Sequence, residues 1–263
     1  MRIVIKVGTS TLAHAGGRLN IRRVELLCKV LSDLKNAGCE VILVSSGAIG
    51  MGVGKLGLSG RPKDMPGKQA AAAVGQCELM YTYDKLFAEY NHTVAQILLT
   101  ADDIQDPRRS SHVHDSLEQL LAWSVLPVVN ENDAVSIDEI GVHTTIGEND
   151  SLSAIVAKLV QADLLVLLSD IDGLYTEDPR VNPEAKLIPE VSEITPEILA
   201  LAGGTGTSLG SGGMATKLKA AQLATEAGID MIIANGEDPE ALYALLENKN
   251  IGTRFIGRKC LTC

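Results

Sequence analysis

Apolar positions along this chain fall into short unbroken runs that alternate with longer stretches of helical spacing, almost from end to end. The runs at 3–7, 40–44, 93–99, 126–130, 164–169, 231–234 and 253–256 read as buried strands, because a strand covered on both faces loses the polar alternation of an exposed one. Between them, 20–37, 67–90, 110–123, 151–161, 213–227 and 239–246 carry helical patterns. Asn20 suits an N-cap, and Gly38 and Gly228 stop the helices before them. The small residues at 69–74 suit close helix packing. The segment 134–145 reads as a hairpin with Gly141 at its turn, and 203–213 as a loop rich in Gly, Ser and Thr.

Strands alternating with helices predict an α/β fold, a three-layer αβα sandwich around a mostly parallel central sheet. No repeat or linker stands out, so 1–263 is expected to form a single domain. In such sheets ligands gather at the carboxyl ends of the strands. Polar or glycine-bearing motifs stand at four of those ends: Lys6-Val7-Gly8-Thr9-Ser10, Ser45-Ser46-Gly47-Ala48, Asn130-Glu131-Asn132-Asp133 and Ser169-Asp170. Their convergence on one edge is the physical argument for an active site.

Composition narrows the partners. With aromatics at 3%, the core must be built from Val, Ile, Leu and Ala. A net charge of −10 argues against nucleic acid or an anionic membrane as a general partner, so an anionic substrate would need a local cluster of Lys and helix N-termini. The N-terminal apolar run is too short for a signal peptide and no segment approaches a membrane span, which points to a cytoplasmic enzyme. Cys28, Cys39, Cys77, Cys260 and Cys263 form no disulfide framework. Cys260 and Cys263 have half the spacing of a zinc site without a second pair nearby, and read as a frayed tail.

Each motif has a plain reading beside the chemical one. Gly52-Val53-Gly54-Lys55-Leu56-Gly57 fits the dinucleotide pattern on paper, but begins too far past its strand and lacks the later acidic residue; it reads as a flexible surface loop. The P-loop pattern is absent. Lys6 interrupts an apolar strand, where a lysine costs desolvation unless it is paired, meets a ligand, or snorkels at the strand end. Gly8 and Gly47 allow close backbone approach to an anion, or are turn glycines. The run from Gly210 to Lys217 is a glycine-rich loop entering a helix, which makes a phosphate site, with Lys217 adding charge in the first turn. Asn149 and Asp150, taken alone, read as helix caps. His112 and His114 lack metal-motif spacing and read as helix surface.

Taken together, Lys6 to Ser10, the loop Ser45 to Ile49, Asn130-Glu131-Asn132-Asp133-Ala134-Val135, Gly147 to Asp150, Ser169-Asp170 with Gly173-Leu174-Tyr175, the run Asp172 to Pro179, and Gly212 to Lys217 resemble the glutamate 5-kinases of the amino acid kinase superfamily. The resemblance spans residues 1 to about 257. It implies ATP-dependent phosphorylation of the side-chain carboxylate of L-glutamate, the first step of proline synthesis. It also implies Mg²⁺ with the nucleotide, no metal held by protein ligands alone, a homo-oligomer (dimer or tetramer), and proline as a feedback inhibitor. By the same resemblance Lys6, Lys217 and Asp150 are the catalytic residues, the lysines neutralising the transferring phosphoryl group and Asp150 holding them. Ser46, Asp133 and Asn149 would bind glutamate. Lys6, Gly8, Ser169, Asp170 and the segment Ser211, Gly212, Gly213, Met214, Ala215, Thr216 and Lys217 would bind the nucleotide. The N-terminal part would be mainly glutamate-binding and the part from about 165 mainly nucleotide-binding.

The implied chemistry suits these residues. A side-chain carboxylate is already ionised at pH 7 and needs no general base. What it needs is relief from the repulsion between two anions, and alignment. Two departures from the family pattern stand out. The C-terminal module resembling RNA-modification domains that many members carry is expected to be missing, and 143–148 differs from the usual hairpin, with Glu148 where Asp is commoner. The rival readings are another kinase of the superfamily, against which Asn130 to Val135 argues, and a non-catalytic amino-acid sensor, against which both lysines and the glycine-rich loop argue.

Overall fold

The computed structural model describes residues 1–14, 18–135, 149–202, 213–247 and 249–258. Its central sheet runs in the order β3-β4-β2-β1-β5-β7-β8-β6. The strands are β1 (Arg2–Val7), β2 (Glu40–Ser45), β3 (Val94–Leu99), β4 (Leu126–Glu131), β5 (Leu164–Ser169), β6 (Glu190–Val191), β7 (Asp230–Asn235) and β8 (Thr253–Phe255). Six run parallel; β8 pairs antiparallel to β7 and carries β6 alongside it. The helices are α1 (Thr9–Leu12), α2 (Ile21–Asn36), α3 (Ala48–Leu56), α4 (Met65–Ala88), α5 (Ala101–Gln105), α6 (Pro107–Ala122), α7 (Asn149–Leu159), α8 (Pro196–Ala200), α9 (Met214–Glu226) and α10 (Tyr243–Leu246), the last preceded by a 3-10 turn, Pro239–Leu242. The expected hairpin at 134–145 falls almost wholly outside the described residues, as do 203–212, Glu148, Cys260 and Cys263.

The pleat divides the apolar residues into two cores, because successive side chains leave a strand on opposite faces. Val4, Ile42, Val44, Val129, Leu165 and Leu167 point to the face covered by α6, α7 and α9. Ile3, Ile5, Val7, Val41, Leu43 and Val166 point to the face covered by α2 and α4. This is the three-layer αβα sandwich. Lys6 shares the parity of Val4, so the lysine buried in β1 emerges on the α7 and α9 side. In register it lies between Val44 of β2 and Leu167 of β5, at the centre of the sheet.

Of the segment 52–57, expected as a surface loop, residues 52–56 are the end of helix α3 and Gly57 is its C-cap. The correction has a packing cause. Gly52 and Gly75 are contact points between α3 and α4: a Cβ on Gly52 would stand 1.8 Å from Ala71 O, and one on Gly75 1.7 Å from Ala48 O. Gly52 and Gly75 let two helix backbones touch, so Gly52 serves helix packing. His114 is half-buried rather than plain helix surface, with Nδ1 3.0 Å from Leu159 O at the end of α7.

The substitution Gly75→Ala separates two effects of opposite sign. Helix propensity alone would stabilise the variant by about 1 kcal/mol. The overlap with Ala48 O forces the helices apart, and overpacking of that kind costs about 1–3 kcal/mol. The overlap is with backbone, which cannot swing aside, so a net loss of stability is expected in urea unfolding. An equal or higher midpoint would show that α3 and α4 are not in this close contact.

Candidate active site

Four strand ends sit side by side in the order β4-β2-β1-β5, all parallel, so their carboxyl-terminal loops open on one edge. The loop after β1 holds Gly8, where a Cβ would stand 3.4 Å from Lys6 Nζ. The loop after β2 holds Ser46 and then Gly47, whose φ of 108° is the left-handed conformation that glycine adopts without strain. Three helices starting around this edge, α1, α3 and α9, begin at Gly8, Gly47 and Gly213 with no side-chain cap. By contrast, α2, α4, α5, α6 and α8 are capped by the side chains of Asn20, Asp64, Thr100, Asp106 and Thr195. Uncapped first-turn N–H groups are donors left for an anion, and the helix dipole adds partial positive charge.

At the centre stands a buried ionic triad. Asp150, in the first turn of α7, receives Lys6 Nζ at 2.6 Å on Oδ1 and Lys217 Nζ at 3.3 Å on Oδ2. Thr216 Oγ1 donates to the same Oδ2 at 2.8 Å. Lys6 is 8% exposed, Asp150 2% and Lys217 7%. Burial by itself would push the Asp150 carboxyl up. The charges of Lys6 and Lys217, with hydrogen bonds from Lys6 and Thr216, outweigh it and hold the group down at about 2. Two ammonium groups against one carboxylate leave a surplus of one positive charge in a desolvated setting, which is a site for an anion.

Beside the triad lies a neutral network. Asn149 Nδ2 donates to Ser46 Oγ at 2.7 Å and to Asn130 Oδ1 at 3.1 Å. Ser46 therefore keeps its own O–H to donate. Asn149 Oδ1 is buried and has no hydrogen-bond partner among the described residues. Asp133 is half-buried in the turn that follows β4, on the same edge. On the far side of β1, Ser169 Oγ donates to Asp170 Oδ1 at 3.1 Å, and Arg180 Nη2 lies 3.5 Å from Asp170 Oδ2.

The structure thus brings Lys6, Gly8, Asp150, Thr216 and Lys217 into one cluster, with Gly213, Met214 and Ala215 at the start of α9. Asn149 and Ser46 adjoin it. Ser211 and Gly212 lie outside the described residues. Sequence reading overlooked Asn130 and Gln76. Asn130 stood in a quoted motif and ends a buried strand, which was signal enough. Gln76, alone in an Ala- and Gly-rich helix face, gave none. Among the described residues no cluster of His, Cys, Asp and Glu is arranged to hold a metal ion. Nor, among them, is any helix long and apolar enough to cross a membrane.

Residues 1–235 match the family model described as the amino acid kinase family. The chain is 55% identical over 258 residues to a glutamate 5-kinase of Clostridium perfringens, covering 98% of this chain and 96% of that protein. It is 57% identical over 253 residues to a glutamate 5-kinase of Clostridium tetani, covering 96% and 93%. Among solved structures, the isopentenyl phosphate kinase of T. acidophilum in a product complex matches with a TM-score of 0.67 at 19% identity, over 97% of this chain and all of that one. The carbamate kinase of Giardia lamblia bound to AMP-PNP matches with a TM-score of 0.67 at 20% identity, over 97% and 98%. These two likenesses speak for the fold alone.

Replacing Asp150 by Asn leaves two buried ammonium groups facing an uncharged amide. Removing one partner of a buried charge pair costs about 3–5 kcal/mol, and urea unfolding at pH 7 should show a loss on that scale. The folded chain holds this carboxyl at about 2 and an unfolded one near 3.8. The triad's contribution is therefore complete above about pH 4 and drains away as pH falls toward 2. The gap between wild type and Asp150→Asn should close over that interval; a gap that stays constant would mean the carboxylate is not ionised there.

Proposed function

The chain belongs to the amino acid kinase family, and from that premise we propose that it transfers the γ-phosphoryl group of ATP to the side-chain carboxylate of L-glutamate, giving L-glutamyl 5-phosphate and ADP, the first step of proline biosynthesis. The observation that carries the mechanism is the triad Lys6–Asp150–Lys217 with its surplus positive charge. A carboxylate oxygen of glutamate attacks the γ-phosphorus; a new O–P bond forms as the bond to the bridging β,γ-oxygen breaks, and that electron pair leaves with ADP. The nucleophile is already ionised, so no base is required, and none is offered by the cluster. The barrier is the meeting of two anions. Lys6 and Lys217 meet the charge on the transferring group, and the free N–H groups at Gly8 and Gly213 add donors that need no reorganisation.

Asp150 sets the lysines' positions and is itself engaged on both oxygens, so it is poorly suited to hold a metal. Mg²⁺ would come on the nucleotide's phosphate oxygens and supply further charge neutralisation there, which suits its preference for one or two carboxylates plus substrate phosphates over an all-protein cage. Glutamate would be bound by Ser46, Asp133 and Asn149, with the Ser46 O–H directed to a carboxylate. The nucleotide would lie over Gly8, Ser169, Asp170 and residues 211–217. Residues before about 165 then carry mainly glutamate, and those after it mainly the nucleotide. A cytoplasmic location, a homo-oligomer and restraint by proline belong to the same reading and rest on the family resemblance.

The test is ADP release with Mg-ATP and glutamate, with hydroxylamine trapping the acyl phosphate as hydroxamate, against acetylglutamate, aspartate, carbamate and UMP in parallel. Glutamate-dependent hydroxamate is expected. Turnover of another acceptor instead would move the chain elsewhere in the family. Lys6→Ala and Lys217→Ala should each lower kcat by roughly 10²–10³-fold, the scale seen when one preorganised charge-stabilising donor is removed. A variant with near-normal kcat would exclude that lysine from the chemical step.

A further inference from the structure

The neutral network beside the triad does not stop at Asn149. Asn130, 1% exposed, accepts on Oδ1 from Asn149 Nδ2 at 3.1 Å and from the backbone N–H of Glu131 at 2.9 Å. Its own Nδ2 donates to Gln76 Oε1 at 2.9 Å, and Gln76 Nε2 donates to Gln96 Oε1 at 3.1 Å. Gln76 is buried, 8% exposed, on α4; Gln96 is exposed on β3. Four amides thus form a relay of three bonds, in which Asn149, Asn130 and Gln76 each donate an N–H to the oxygen of the next amide away from the active-site edge.

That polarity has a chemical result. Both Asn149 N–H groups are taken, by Ser46 and Asn130, so the group Asn149 has to offer is Oδ1, the buried acceptor with no partner among the described residues. At pH 7 both carboxylates of glutamate only accept, and its α-ammonium is its one donor group. We infer that Gln76 is a positioning residue for glutamate: its Oε1, together with the Glu131 backbone N–H, fixes the Asn130 amide, which fixes the Asn149 amide so that an oxygen and not an N–H₂ meets the substrate's ammonium. This rests on the glutamate reading above and adds to it a residue that touches neither substrate nor nucleotide.

An amide turned end for end keeps its shape and reverses its polarity, so orientation must be enforced by partners. Without Gln76 Oε1 the buried Asn130 Nδ2 loses its acceptor and the amide's orientation is left to the Glu131 N–H alone; a reversed relay would set one N–H₂ against that N–H and another against a cation. Gln76→Met keeps volume and helix propensity while removing the amide. Gln76→Glu keeps the acceptor in either protonation state: the ionised form accepts on both oxygens, and the neutral form accepts from Asn130 while donating to Gln96, as the glutamine does.

The experiment measures KM for glutamate, KM for ATP and kcat in both variants, together with the preference for glutamate over glutarate, which lacks the ammonium, as a competing ligand. Gln76→Met is expected to raise the glutamate KM about 10- to 100-fold, the scale of a hydrogen bond to a charged group left unmade, and to shrink the preference over glutarate by a similar factor. ATP KM and kcat should hold, and Gln76→Glu should restore the glutamate KM. Where Gln76→Met does not fold, Gln76→Ser makes the same removal with a smaller side chain. An unchanged glutamate KM, equal losses for glutamate and glutarate, a parallel rise in ATP KM, or no recovery in Gln76→Glu would each overturn the inference. A wild-type protein that forms no hydroxamate with glutamate would overturn the functional reading beneath it.

Discussion

Two ammonium groups buried next to each other are the constraint on which this structure turns. Like charges 4 Å apart repel by about 4 kcal/mol at the effective dielectric of a protein site, so Lys6 and Lys217 could not share a desolvated space unaided. Asp150 makes it possible by presenting one oxygen to each. A second carboxylate in the triad would cancel its charge and with it the attraction for an anion. With none, the lysines would turn to solvent or lose their protons. One carboxylate for two lysines is the composition that keeps the fold stable and the site positive.

The rest of the architecture follows from having to hold those three groups in register. Lys6 sits on the central strand, and its parity sends it to the face covered by α7 and α9. Asp150 comes from the first turn of α7 and Lys217 from the first turn of α9, so each element adds one member where its backbone is best fixed. A carboxylate in a helix's first turn is favoured by the dipole. A lysine there is not, and Lys217 is held by Asp150 and by the uncapped start of α9 being a place for anions. Helices α2, α4 and α6 are closed by Asn20, Asp64 and Asp106, whereas α1, α3 and α9 at the active edge begin with glycine. Stability is given up locally where donors must remain free.

What could be read in advance depended on whether a residue was out of place in its local pattern. Lys6 in an apolar strand is conspicuous, since burial makes it costly without a partner. Strand ends carrying glycine and Ser, Asn or Asp pointed to the working edge because β-strands stop at the ligand in open parallel sheets. Gly52 misled, because a glycine in a flexible loop and one that admits a helix backbone look alike in sequence; only the approach of Ala71 O tells them apart. Gln76 was invisible for a different reason. It fits a helix by propensity, and its importance arises from residues 20 and 54 positions away. Asn149 and Asp150 read locally as caps, and no local pattern carried the contacts to Lys6, Lys217 and Ser46 that assign them elsewhere.

Asn149 and Asp150 also show why the charged and neutral networks cannot be treated separately. They are consecutive in the first turn of α7, so about 1.5 Å of rise and 100° of rotation separate them. Asp150 belongs to the triad with Lys6 and Lys217, and Asn149 to the amide relay that runs through Asn130 to Gln76. The first turn of α7 is thus braced on one side by ion pairs and on the other by neutral hydrogen bonds. An ionic brace is strong but weakly directional, whereas an amide chain is weak but polar in sense. On the proposed reading, charge is what lets two anions meet, and the amides set which way round the acceptor lies when they do.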